Sequence, residues 1–102
     1  HFFGFMIEGV LAGVGDIEHY NKLTDINSLV VDPRFFRLGI ARKLMEYIFN
    51  TFNSEVYVVE TGLENEPAIA LYKKLDFKEV EKWDTNFGIR KIKFERRISR
   101  SS

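Results

Sequence analysis

The stretch Val31-Asp32-Pro33-Arg34-Phe35-Phe36-Arg37-Leu38-Gly39-Ile40-Ala41-Arg42-Lys43-Leu44 carries the most chemistry in this chain. It reads as a strand end, a short loop, and a helix whose first turn contains Gly39 and the small Ala41. The start of a helix leaves several backbone N–H groups without partners and carries a partial positive charge, so it favours an anion. Small residues let a diphosphate approach the backbone there, and Arg37 and Arg42 add charge. The pattern therefore fits either a phosphate cradle or an ordinary strand-to-helix connection. A second group with chemical promise is Glu60, a carboxylate ending the otherwise apolar run Val56-Tyr57-Val58-Val59. Burial at such a place raises a carboxylate towards neutrality and suits it to accept a proton. Asp25, near the start of another apolar run, is the alternative. Either one also reads as a solvated or hydrogen-bonded strand-end carboxylate.

Composition excludes several other chemistries. The chain has 102 residues, 45% of them hydrophobic, and ten are phenylalanine, which points to one small domain with a ring-rich core. Fifteen basic and fifteen acidic side chains cancel. Zero net charge gives no global reason to expect a nucleic-acid or membrane partner. A local run of Arg90, Lys91, Lys93, Arg96, Arg97 and Arg100 reads as a wet strand face and a tail. A nucleic-acid binder using that run would show a steep salt dependence. With no cysteine there is no disulfide, thiolate metal site or cysteine nucleophile, which fits the cytoplasm. His1 and His19 lack a partner at ligand spacing, so both read as surface residues and no metal is expected. The opening apolar run, His1 to Ile7, is cut short by Glu8 and lacks a basic leader, so it reads neither as a signal peptide nor as a membrane span.

These groups need a scaffold. Phe2–Glu8, Val10–Tyr20 and Leu23–Val31 read as three strands, separated by turns at Gly9 and Tyr20-Asn21-Lys22 and closed by Asp32-Pro33. Gly13 and Gly15 mark a bulge or a close backbone approach. From Ile40 the apolar residues Ile40, Ala41, Leu44, Met45, Ile48 and Phe52 follow helical spacing. Val56–Glu60 is a short buried strand. A second helix spans about Glu66–Leu75, capped by Asn65 with Pro67 in its first turn. Phe77–Trp83 and Ile89–Ile98 form a last strand pair, in which Ile92, Phe94 and Ile98 share the buried face. The order is β-β-β-α-β-α-β-β, an α/β class with a mixed sheet.

The first stretch resembles the acetyl-CoA-binding motif of the GNAT acetyltransferase superfamily, Gln/Arg-x-x-Gly-x-Gly/Ala after a Val-x-Pro strand end. Gly39 and Ala41 fill the small positions, while Phe36 stands where the family has Gln or Arg. A second match, Asn65-x-x-Ala68-x-x-Leu71-Tyr72 with Phe77, is similar to the family's Asn-x-x-Ala-x-x-Leu-Tyr-x-x-x-Gly-Phe signature. Asp76 replaces the usual glycine, and a left-handed turn at that residue would stop the helix. Two motifs in the family's order cover essentially the whole chain, with a pattern nearest to ribosomal-protein N-terminal acetyltransferases.

The resemblance implies an acyl-CoA N-acyltransferase fold, a mixed and mostly antiparallel central sheet flanked by helices. It implies a single domain over residues 1–102, shortened by the family's usual first strand and first two helices. It implies an enzyme that moves an acetyl group from acetyl-CoA directly to a primary amine. Backbone groups of Leu29, Val30 and Val31 would hold the pantetheine arm, with Asn65 beside it. Phe36, Arg37, Leu38, Gly39, Ile40, Ala41 and Arg42 would hold the pyrophosphate. Tyr72 would protonate the leaving thiolate. Glu60 matches the glutamate that ribosomal-protein acetyltransferases carry as base, and Asp25 stands where many relatives hold an acid. The acceptor stays open, although Asp16, Glu18 and Asp25 make an acidic mouth suited to a cationic amine. The shortening leaves open an active enzyme or a non-catalytic acyl-CoA-binding or protein-interaction module. It also leaves a sheet edge that invites a homodimer, with Phe2, Phe3 and Phe5 exposed on it.

Overall fold

The computed structural model describes residues 1–98, with every side chain among them except those of Phe36 and Arg37. Arg100, the last of the C-terminal basic run, lies outside the described residues. The chain runs β1 (Phe2–Ile7), β2 (Val10–Tyr20), β3 (Leu23–Val31), a 3-10 helix (Pro33–Leu38), α1 (Ile40–Thr51), β4 (Val56–Gly62), α2 (Glu66–Lys74), β5 (Lys78–Asp84) and β6 (Arg90–Arg97). The six strands make one sheet in the order β1-β2-β3-β4-β6-β5. Only β3 and β4 are parallel, with α1 in the crossover between them. The order and nearly every boundary agree with the sequence reading.

Local chemistry explains the connections. Glu8 and Gly9 both take positive φ, as do Asn21 and Lys22, which gives two tight hairpins whose twist matches the flanking strands. The α1 stripe of Ile40, Leu44, Met45 and Ile48 is buried. Met45 and Ile48 pack in one cluster with Tyr72 and Leu75, against Ile17, Ile26, Tyr57, Val59, Ile92 and Phe94 of the sheet. These strand residues point to one side by strand alternation, so both helices lie on one face of the sheet. The other face, with Asp25, Glu60, Lys91 and Lys93, carries no helix among the described residues.

Two expectations are corrected. Ile98 is 41% exposed rather than buried; it lies just past the end of β6, with its N–H still donating to the Glu55 carbonyl at 2.8 Å. At the β1 edge only Phe2 is fully outward, at 84% exposure. Phe3 and Phe5 instead turn towards the helices, with the Phe3 ring 5.1 Å from that of Tyr47 and Lys43 lying over Phe5.

The glycines of β2 mark close approaches, as their sequence context suggests. A β-carbon on Gly13 would lie 2.9 Å from Leu44 Cδ1, 3.2 Å from the Val30 carbonyl oxygen and 3.3 Å from Ile40 Cγ2. Gly13→Ala should therefore cost about 1–3 kcal/mol through overpacking between strand and helix. The measurement is urea unfolding, read as a lower midpoint at unchanged slope. Gly62→Ala, whose β-carbon would meet nothing within 4 Å, should stay within about 0.5 kcal/mol of the parent.

Candidate functional site

The parallel pairing of β3 with β4 stops early. It runs from Leu23 opposite Val56 to Ile26 opposite Val59 and ends there. Across the other edge of β3, Asp16 faces Ser28 and Ile17 faces Ile26, so Asn27 is an extra residue on β3. Such a bulge bends its strand and increases its twist. Beyond it β3 stays with β2 while β4 stays with β6 as far as Gly62, and the sheet forks. A cavity of about 560 Å³ opens in the fork, walled on one side by Leu29, Val30 and Val31. The N–H of Asp32 donates to the Ala12 carbonyl at 2.8 Å. By strand alternation Leu29 and Val31 then direct their own N–H and C=O groups towards the cavity.

The second wall is the start of α1. Asp32 caps the 3-10 helix by accepting from the Arg34 N–H at 2.9 Å, and its carboxylate also holds the Arg34 guanidinium at 2.8 Å. The hydrogen bond from the Arg34 side chain, then that from its backbone, keeps Asp32 below the usual carboxylate range. Gly39 follows in the left-handed region at φ 69 and serves as the N-cap of α1, with no side chain to cap it. It thus stands just before the first turn rather than inside it. The 3-10 helix occupies what the sequence reading took for a loop. The first helical bond runs from Lys43 N–H to the Gly39 carbonyl at 3.0 Å, so the N–H groups of Ile40, Ala41 and Arg42 have no intrahelical partner. No acidic side chain lies in that first turn. Gly39, Ala41 and Arg42 line the cavity, so the positive end of α1 opens into it. The Ile40 side chain is buried in the core and offers only its backbone. The Leu38 side chain is exposed, and the Phe36 and Arg37 side chains lie outside the description. Arg42 Nε lies 3.3 Å from Glu46 Oε1, one turn along the helix.

Helix α2 closes the cavity. Asn65 caps it, accepting from the Ala68 N–H at 3.3 Å, while its amide donates to Thr61 Oγ1 at 3.2 Å. Asp76, at φ 68, stops the helix as its left-handed tolerance suggested. Tyr72 is two turns from Asn65 on the same face, and both line the cavity. Its ring sits among Phe77 and Phe94, with centroids 5.7 and 5.8 Å away. Burial pushes its phenol up to about 12, so the hydroxyl keeps its proton at any ordinary pH. That hydroxyl has no hydrogen-bond partner among the described residues. Pro67, Ala68 and Leu71 also line the cavity and were not assigned to a site from sequence. Helical spacing from Asn65 to Tyr72 was the signal that places Ala68 and Leu71 there.

The two candidate bases lie elsewhere. Neither Glu60 nor Asp25 lines the cavity. Glu60 follows Val59, the last β4 residue paired with β3, and so marks the point of the fork. The burial expected for it is absent, since its side chain is 38% exposed and accepts a 2.9 Å hydrogen bond from Lys91 Nζ. Asp25 faces Glu18 directly across β2 and β3, an unfavourable like-charge pair. Burial raises its carboxyl above the usual 3.8, and the charges of Glu18 and Glu60 add to the rise against an opposing Lys93. Glu18 also accepts from Asn27 Nδ2 at 2.9 Å, and Asp16 stands two residues before it on β2. His19 is exposed, as a surface residue is expected to be, and its ring meets two hydroxyls. Its Nδ1 is 3.0 Å from both Thr24 Oγ1 and Ser54 Oγ, two buried hydroxyls, which ties β2 to the segment before β4.

The raised Asp25 carboxyl makes a stability statement. The fold prefers the protonated form, so its contribution is complete below 3.8 and is lost as pH rises through the higher folded value. Asp25→Asn should therefore raise the melting temperature at neutral pH. The advantage should vanish below pH 3.8, which thermal scans across pH will show.

Comparison with known proteins follows the same geometry. The Acetyltransferase (GNAT) family profile matches residues 1–77. An N-alpha-acetyltransferase of Saccharolobus solfataricus is 33% identical over 85 residues, covering 76% of this chain and 51% of that protein. The ribosomal-protein-S18-alanine N-acetyltransferase of Escherichia coli superposes with a TM-score of 0.85 at 24% identity, covering 100% of this chain and 71% of the other. The yncA protein of Salmonella typhimurium, solved with its cofactor acetyl-CoA, superposes with a TM-score of 0.80 at 16% identity over 99% of this chain and 66% of its own. The chain spans between 24% and 53% of the length of the curated relatives it matches.

Proposed function

The chain belongs to the GNAT family of acetyltransferases, and on that premise we propose that it transfers the acetyl group of acetyl-CoA to a primary amine. The observation that carries the reading is the meeting, in one cavity, of an open β3 edge, an uncapped helix start and the protonated Tyr72 hydroxyl. An open strand edge is the complement of an amide-bearing arm such as pantetheine. Unpaired helical N–H groups are the complement of a pyrophosphate. The residues therefore fit acetyl-CoA, which would supply the acetyl group as an activated thioester.

Each residue then has a task. The N–H and C=O groups of Leu29 and Val31 hold the pantetheine amides, with Val30 and Asn65 bordering the arm. The backbone of Gly39, Ile40, Ala41 and Arg42, continued back through Phe36, Arg37 and Leu38, cradles the pyrophosphate, and the Arg42 guanidinium adds charge. Tyr72 holds a proton at its Oη for the departing sulfur. Glu60 or Asp25 takes the proton that a protonated amine must lose before it attacks. Of the two, Asp25 has the carboxyl raised towards neutrality, and Glu60 has the position at the fork. The names of the relatives, which include N-alpha-acetyltransferases and a ribosomal-protein alanine acetyltransferase, favour the N-terminal amine of a polypeptide as acceptor.

Calorimetric titration with acetyl-CoA should show saturable one-site binding, with ATP much weaker. Ala41→Glu should weaken that binding by placing a like charge in the cradle. The same change should leave the fold as stable or up to about 1 kcal/mol more so, since an acid suits a helix start. Unchanged binding in a variant of unchanged stability would mean that α1 does not face the anion. Tyr72→Phe should retain acetyl-CoA binding and lower turnover by about a hundredfold or more, as for a general acid. Binding without turnover across a panel of peptides and small amines would instead make the chain an acyl-CoA-binding module.

A further inference from the structure

Lys91 is paired with the carboxylate that marks the fork of the sheet. Its Nζ lies 2.9 Å from Glu60 Oε1, and both side chains are only about a third exposed. The residue directly opposite Glu60 on β6 is Lys93, whereas Lys91 faces Gly62. The Lys91 side chain therefore reaches diagonally back along the sheet to meet the carboxylate at the fork. An ammonium beside a carboxylate at that point is the arrangement a protonated amine needs before it can lose a proton and attack. Other Lys–Glu pairs lie away from the fork, Lys82 with Glu79 at 3.2 Å on the edge strand β5 and Lys22 with Glu55 at 3.5 Å at the opposite end of β3 and β4.

We propose that Lys91 is an internal acceptor, acetylated by the chain's own cleft; this rests on the acetyl-transfer reading above. Lys91 gives one proton to Glu60, and the neutral Nζ forms a bond to the carbonyl carbon of acetyl-CoA. The nitrogen then loses its second proton to solvent, and the carbon–sulfur bond breaks. The sulfur takes a proton from solvent or from Tyr72, which regains one from solvent, and Lys91 is left as an uncharged N-acetyl amide. The modification frees Glu60 from its ion pair. It thereby couples the acetylation state of the chain to the carboxylate that an external amine must use.

The purified chain is incubated with acetyl-CoA alone and followed by intact mass and peptide mapping, with calorimetry in parallel. One acetyl group should appear at Lys91, at a rate per molecule independent of protein concentration, ahead of the reference Lys22. Lys91→Arg should abolish that first addition while keeping acetyl-CoA binding. Glu60→Gln should slow it by about a hundredfold or more. Binding of acetyl-CoA with Lys91 modified no faster than Lys22, or at a rate that rises with protein concentration, overturns the proposal and leaves the acetyl-transfer reading standing. Absence of acetyl-CoA binding overturns both.

Discussion

A single strand that cannot serve two neighbours along its whole length sets the character of this protein. β3 is paired to β2 throughout, but to β4 for only four residues, and the extra residue at Asn27 is where the two demands part. Everything distinctive about the cleft depends on that parting. The backbone of Leu29 and Val31 is left without strand partners, and the start of α1 can reach the opening because β3 leads directly into it. In an unbroken parallel sheet the same side chains would line no cavity.

The fork also divides labour between the two faces of the sheet. On one face the helices bury an apolar layer in which Tyr72 is embedded, and that burial pushes its phenol up to about 12. On the other, carboxylates and lysines of β2, β3, β4 and β6 crowd together, with Glu18 directly across from Asp25 and Lys91 reaching to Glu60. A buried phenol and a group of carboxylates are thus held on opposite faces of one sheet. Burial raises both the Tyr72 phenol and the Asp25 carboxyl, so both environments favour the protonated form.

Much of this was legible in the residues. The hairpins at Glu8-Gly9 and Asn21-Lys22, the stop at Asp32-Pro33, and the helical stripe from Ile40 to Ile48 are local signals, each read within a few residues. The helix stop at Asp76 and the cap at Asn65 are local too. The cavity lining from Leu29 to Arg42 followed from resemblance joined to the physics of a helix start. What escaped is non-local or lacks a marker residue. The bulge falls at Asn27, with no glycine to announce it. The 3-10 helix hides in a run of aromatic and basic residues. The Glu60–Lys91 pair spans 31 positions, and the His19 contact with Ser54 spans 35, so neither has a periodic trace.

The short β3–β4 seam has one more consequence. It joins two half-sheets, β1-β2-β3 with α1 and β4-β6-β5 with α2. Four residue pairs, the contacts of Lys22 and His19 with the segment before β4, and the helix packing bridge them. A ligand lying in the fork would touch both halves and act as a splint, so its binding energy would appear as cohesion between them. The amides along the seam should then be the ones whose hydrogen exchange slows most when the cleft is filled, while the hairpin tips exchange as before. Occupancy of the site and mechanical unity of the molecule become the same quantity.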